Sequence, residues 1–119
     1  MIRQLHDNPI EVFFHFQRQS GLTLPLPLPD HLDIAALEQG LRWLATWDSR
    51  NHLSNWSGPL LAIASHNDQV VTPQMSQAQF AALSPNPLHW LTDGGHLLPL
   101  TRPEQCAALV AGFIQNHVP

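Results

Sequence analysis

Lysine is missing from this chain altogether, and charged residues of all kinds make up only 12% of it. Five arginines against nine acidic residues leave a formal charge of -4, with no basic stripe to neutralise phosphates, so a nucleic-acid partner is not expected. A single cysteine, Cys106, rules out an internal disulfide and gives no zinc signature. It sits between helix-forming residues beside Ala107 and Ala108, where a small buried hydrophobe is the expectation. The first residues combine neither a basic region nor an apolar run, and no apolar stretch approaches the length that crosses a bilayer. The expectation is a cytoplasmic chain with no membrane contact and one compact domain.

With so little charge, a surface must be built from Gln, Asn, Ser, Thr, His and Pro, or part of it must be covered by something else. Eight histidines add capacity for charge near neutral pH, but they are scattered.

The first half reads as helices. Pro9-Ile10-Glu11 suits a first helical turn, and Ile10, Phe13 and Phe16 continue an apolar pattern begun by Ile2 and Leu5. This predicts a helix over 9–19, with a separate turn at 2–6. Phe13, Phe14 and Phe16 crowd one short stretch and need a groove or a second helix to cover them. Alternating prolines over 24–29 block helix and central strand and predict a stiff spacer. Ile34, Leu37, Leu41 and Leu44 recur at helical spacing over 32–47, with Asp30 or Asp33 available as cap; Trp43 and Trp47 widen the face. Residues 48–59 read as a loop.

The second half changes character. Leu60-Leu61-Ala62-Ile63-Ala64 is an apolar run without alternation, the pattern of a parallel strand buried on both faces. Thr72-Pro73 opens a helix over about 73–83, and Leu88–Leu91 makes a second strand. Thr101-Arg102-Pro103-Glu104 fits a reciprocal capping box at the head of a last helix, from which Leu109, Val110, Phe113 and Ile114 are expected to face the interior. The whole predicts an α/β chain in which a parallel β-α-β-α unit follows a helical segment.

Sites in parallel sheets gather outside the carboxyl ends of the strands. Asp68 follows the first strand and His96 the second, so a carboxylate and an imidazole share one edge of the sheet. A carboxylate on the far nitrogen of a histidine fixes its tautomer and readies the other nitrogen as a base. Gly94-Gly95 allows a left-handed turn before the histidine. Spacing alone also allows two polar loop residues, or an ion held by His66, Asp68 and His96, although no compact zinc pattern is present.

The segment from Leu61 through Asp68 to Pro73, followed by Gly94-Gly95-His96 and Arg102-Pro103-Glu104, resembles the C-terminal third of the α/β-hydrolase family. The resemblance is strongest to the carboxylesterases that cleave acyl methyl esters on a carrier protein in biotin synthesis. Upstream, Leu37 to Leu44 and Asp48-Ser49-Arg50 resemble the last lid helix and the return to the sheet. The resemblance implies a partial α/β-hydrolase fold, with a helical lid segment over 1–55 and the C-terminal part of the core over 56–119. It assigns the acid of a catalytic triad to Asp68 and the base to His96. An acyl ester is the implied substrate, with Phe13, Phe16, Trp43 and Leu44 as candidates to line an acyl channel, and no cofactor or metal is implied. The family's nucleophile is a serine in G-x-S-x-G, and no such motif occurs here. None of the seven serines has that context, and Ser65 stands nearest the proposed pair. The chain alone is therefore expected to be inactive, completed by a missing N-terminal core or associating with itself. Arginines 3, 18, 42 and 50 are too few and too scattered to argue a carrier-protein partner.

Overall fold

A computed structural model describes residues 1–117. Seven helices and two strands follow in the order α1 (Ile2–Asp7), α2 (Pro9–Gln19), α3 (Ile34–Thr46), α4 (Arg50–Ser54), β1 (Ala62–Ser65), α5 (Pro73–Phe80), β2 (Leu88–Leu91), α6 (Leu98–Thr101) and α7 (Pro103–His117) among the described residues. The chain is mixed α/β with a two-stranded parallel sheet, in which Ala62 pairs with Leu88 and Ser65 with Leu91.

Three helix starts have a side-chain cap of their own. Asn8 accepts the Glu11 amide ahead of Pro9, Asp33 accepts that of Ala36, and Thr72 accepts that of Met75 ahead of Pro73. The capping box expected at Thr101 does not form. Thr101 closes α6 instead, and its hydroxyl donates to the carbonyls of Gly94 and Leu97, at 2.6 and 3.2 Å. That hydroxyl is therefore turned toward the glycine turn rather than the head of α7.

In the helical arm formed by α1, α2 and α3, a side-chain pair ties the first helix to the third. His6 Nε2 lies 2.6 Å from a Glu38 carboxylate oxygen, joining α1 to α3, and Glu38 also accepts from Arg42. Glu38 is held below the usual carboxylate range, first by the Arg42 hydrogen bond and then by His6. The proline spacer is anchored to α2 by Gln17, whose side-chain oxygen accepts the Leu26 amide at 2.8 Å. Asp48, in the return toward the sheet, is pushed far below the carboxylate range by the Arg50 guanidinium beside it. Arg50 opens the short helix α4 where a loop was expected.

The core is small. Leu91, Leu98 and Cys106 are buried together, with Ile63 and Leu109 packed on them. The cysteine is thus one of the apolar residues that seat α7. Burial falls short of the expectation on α7, where Val110 and Ile114 are almost half exposed, and β2 exposes His89. Leu37 and Leu44 of α3 also face outward in large part.

The accessible surface is 8849 Å², where a folded monomer of 13.3 kDa exposes about 6,500 Å². The radius of gyration is 16.6 Å, against about 13.5 Å for a typical domain of this length. A two-stranded parallel sheet leaves both strand edges open, and parallel sheets are ordinarily covered on both faces and extended sideways. The surface left bare exceeds what one partner contributes to an ordinary protein interface, about 800 Å². Among the described residues, no helix is long and apolar enough to cross a membrane.

Candidate active site

Asp68 and His96 come together. Parallel pairing places the ends of β1 and β2 side by side, Ser65 against Leu91, and both loops leave from that edge. His96 Nδ1 lies 2.9 Å from Asp68 Oδ2. The other carboxylate oxygen, Oδ1, accepts the amides of Val70 at 2.8 Å and Val71 at 2.9 Å. Two backbone donors therefore hold the carboxylate in one orientation. An ionised carboxylate only accepts, so Nδ1 is the donor of this contact, and in the neutral ring that tautomer leaves Nε2 its lone pair. The Asp68 side chain is 10% exposed and that of His96 is 32% exposed. The carboxylate is enclosed while the ring still reaches solvent.

The turn before the histidine has the expected left-handed backbone, with φ of 120° at Gly94 and 68° at Gly95. Space requires glycine there as well. A Cβ on Gly95 would stand 2.7 Å from the Ser20 carbonyl oxygen, and one on Gly94 would stand 2.7 Å from Leu98 Cδ2. Arg102 bonds Asp93 just ahead of this turn, which makes it a support for the loop.

Ser65 does not serve the pair. Its hydroxyl is fully buried and donates to Asn67 Oδ1 at 2.6 Å. The same Asn67 oxygen accepts the Gly95 amide at 2.9 Å, so the asparagine ties the two site loops together. Ser20 is equally buried, and its hydroxyl finds no hydrogen-bond partner among the described residues. Neither hydroxyl is presented to a substrate. His66 stacks on Trp90 with ring centres 4.6 Å apart. Among the described residues no group of three or more His, Cys, Asp or Glu side chains is placed to hold a metal ion.

The proposed acyl-channel residues divide. Phe13, Phe16 and Leu44 border an apolar groove between α1, α2 and α3 of about 290 Å³, together with Leu5, Leu37 and Leu41. Trp43 lies outside that lining and stacks on Trp47 at 5.4 Å. On α3 these two tryptophans, four residues apart, share a stripe beside the groove stripe rather than within it.

Sequence reasoning missed two contributors, Asn67 and the end of α2. Asn67 carried a faint signal, as a short amide side chain in the turn before the acid. Ser20 and Gly21 carried none, because their part depends on a contact between residues far apart in the chain. No protein-family model matches the chain, and neither the curated proteins nor the solved structures searched hold a match to it.

Proposed function

We propose that this chain is the C-terminal portion of an α/β-hydrolase-type serine carboxylester hydrolase for acyl esters, supplying the acid and base of its triad. The observation that carries this reading is the 2.9 Å contact of His96 Nδ1 with an Asp68 carboxylate fixed by two backbone amides. The proposed reaction needs a serine supplied from outside these residues. Nε2 of His96 takes the proton of that serine hydroxyl as its oxygen attacks the ester carbonyl, then hands it to the departing alcohol. A water follows the same route, giving its proton to Nε2 as it attacks the acyl-enzyme, and the serine leaves with that proton. Asp68 keeps the ring in register and stabilises the charged imidazole between steps.

The groove bordered by Phe13, Phe16 and Leu44 offers an apolar place for an acyl chain, each buried methylene contributing about 0.8 kcal/mol. The unusually large bare surface supports completion of the sheet by further α/β core.

The test is reconstitution. The chain is combined with a carboxylesterase core segment that carries G-x-S-x-G and ends before its own lid, and hydrolysis of a short acyl methyl ester is followed. Turnover that appears on mixing and disappears with His96→Ala supports the reading. Turnover indifferent to His96 overturns it.

A second reading is a non-catalytic self-association module derived from a hydrolase. The bare surface and the outward tryptophans Trp43, Trp47 and Trp56 favour it. It requires a stable homodimer at micromolar concentration and no contribution of His96 to any ester turnover, and analytical ultracentrifugation beside the same assay separates the two readings.

A further inference from the structure

The last turn of α2 reaches both loops of the Asp68–His96 pair. The Ser20 carbonyl accepts two amides from the base loop, that of His96 at 2.9 Å and that of Leu97 at 3.3 Å. One residue earlier, the Gln19 side-chain amide donates at 3.2 Å to the carbonyl of Gln69, the neighbour of Asp68. One residue later, Gly21 turns with φ of 96°, and a Cβ there would stand 2.9 Å from Gly95 Cα. The contact is backbone on backbone, Gly21 against Gly95, and leaves no room for a side chain on either partner.

These three residues do different work from the ties inside the β-α-β-α unit. Asn67 links the two loops to each other, whereas Gln19, Ser20 and Gly21 link both loops to the helical arm. Gln17 and Phe16, on the same helix, are bonded to the proline spacer and border the apolar groove. Phe16 stands one helical turn before Ser20, whose amide donates to its carbonyl. A displacement of α2 along its axis is therefore transmitted to the backbone of His96.

We infer that Gln19-Ser20-Gly21 is a positioning clamp through which the helical arm sets the geometry of the His96–Asp68 pair. Its importance for catalysis rests on the functional reading above, but the clamp itself is testable on the pair without turnover. The clamp acts through the carbonyl of Ser20, the amide side chain of Gln19 and the absence of a side chain at Gly21. The Ser20 hydroxyl takes no part, which sets the control.

The experiment is proton NMR of the full chain, following the Nδ1 proton of His96, assigned as the downfield resonance lost in Asp68→Asn. Gly21→Ala, which forces the end of α2 off Gly95, is expected to speed exchange of that proton by about tenfold, the equivalent of one lost backbone hydrogen bond. Gln19→Ala is expected to speed it about threefold, and Ser20→Ala to leave it unchanged. Should Gly21→Ala fail to fold, Gln19→Ala decides. A general loss of stability would lower the melting temperature yet leave the resonance intact well below it. Unchanged exchange in folded Gly21→Ala, or in Gln19→Ala where only that variant folds, would overturn the clamp and leave the hydrolase reading to its own assay.

Discussion

The side-chain oxygen of Asn67 receives the Gly95 amide at 2.9 Å, joining the loop after β1 to the loop after β2 one residue away from each member of the Asp68–His96 pair. The same oxygen receives the buried Ser65 hydroxyl at 2.6 Å. Asn67→Ala strands both donors at once. Each stranded buried group costs about 1–3 kcal/mol, so a loss of about 2–6 kcal/mol is expected in urea unfolding. An unchanged midpoint would mean that other contacts hold the loops together.

Two fully buried serines should answer truncation oppositely. The Ser20 hydroxyl has no partner among the described residues, so Ser20→Ala removes an unmet desolvation cost and is expected to be neutral or to stabilise by up to about 1 kcal/mol. The Ser65 hydroxyl is bonded, and Ser65→Ala is expected to destabilise by about 1–2 kcal/mol. Paired denaturation curves check the contrast, and a substantial loss at Ser20 would count against an unpartnered hydroxyl.

Gly40 stands in the middle of α3, and a Cβ there would meet nothing within 4 Å. Alanine removes the excess backbone freedom of glycine in the unfolded chain and propagates helix better. Gly40→Ala is accordingly expected to stabilise by about 0.5–1 kcal/mol, visible as a raised melting temperature. No gain would indicate that the groove this glycine borders collapses onto it.

Acid should loosen the arm through Glu38. Its carboxyl is held low by hydrogen bonds from Arg42 and His6, so the unfolded chain binds this proton more readily than the folded one. Stability from this source is fully present above the unfolded carboxyl's range, about 4.3. It is lost as pH falls from there through the lower folded value. Unfolding curves against pH should fall less steeply below that range for Glu38→Gln than for the wild type. Added salt should shrink the difference, because the pair lies at the surface. Identical acid limbs would contradict the assignment.

Much of the second half was legible because its signals are local. Thr72-Pro73 marks a helix start by its own chemistry, and Leu88–Leu91 is bounded by prolines before and glycines after. The strand–loop–helix order placed Asp68 and His96 at one edge, and Gly94-Gly95 announced the turn that aims the histidine. What failed was long-range or ambiguous. Thr101 has the sequence of a capping residue, yet the Gly94 carbonyl competes successfully for its hydroxyl. Val110 and Ile114 have the periodicity of a buried face, but among the described residues they stay almost half exposed. Ser20 and Gly21 were unreadable because their contacts exist only when the end of α2 meets the His96 loop.

We propose His96, held by Asp68, as the base for a serine lying outside these residues. Acyl methyl ester hydrolysis by the chain reconstituted with a G-x-S-x-G core measures it most directly, comparing wild type with Asp68→Asn and His96→Ala. Turnover is expected on reconstitution, with a fall of about four orders of magnitude in Asp68→Asn and about six in His96→Ala, and none from the chain alone. Turnover by the isolated chain, or reconstituted turnover that survives both substitutions, would contradict it.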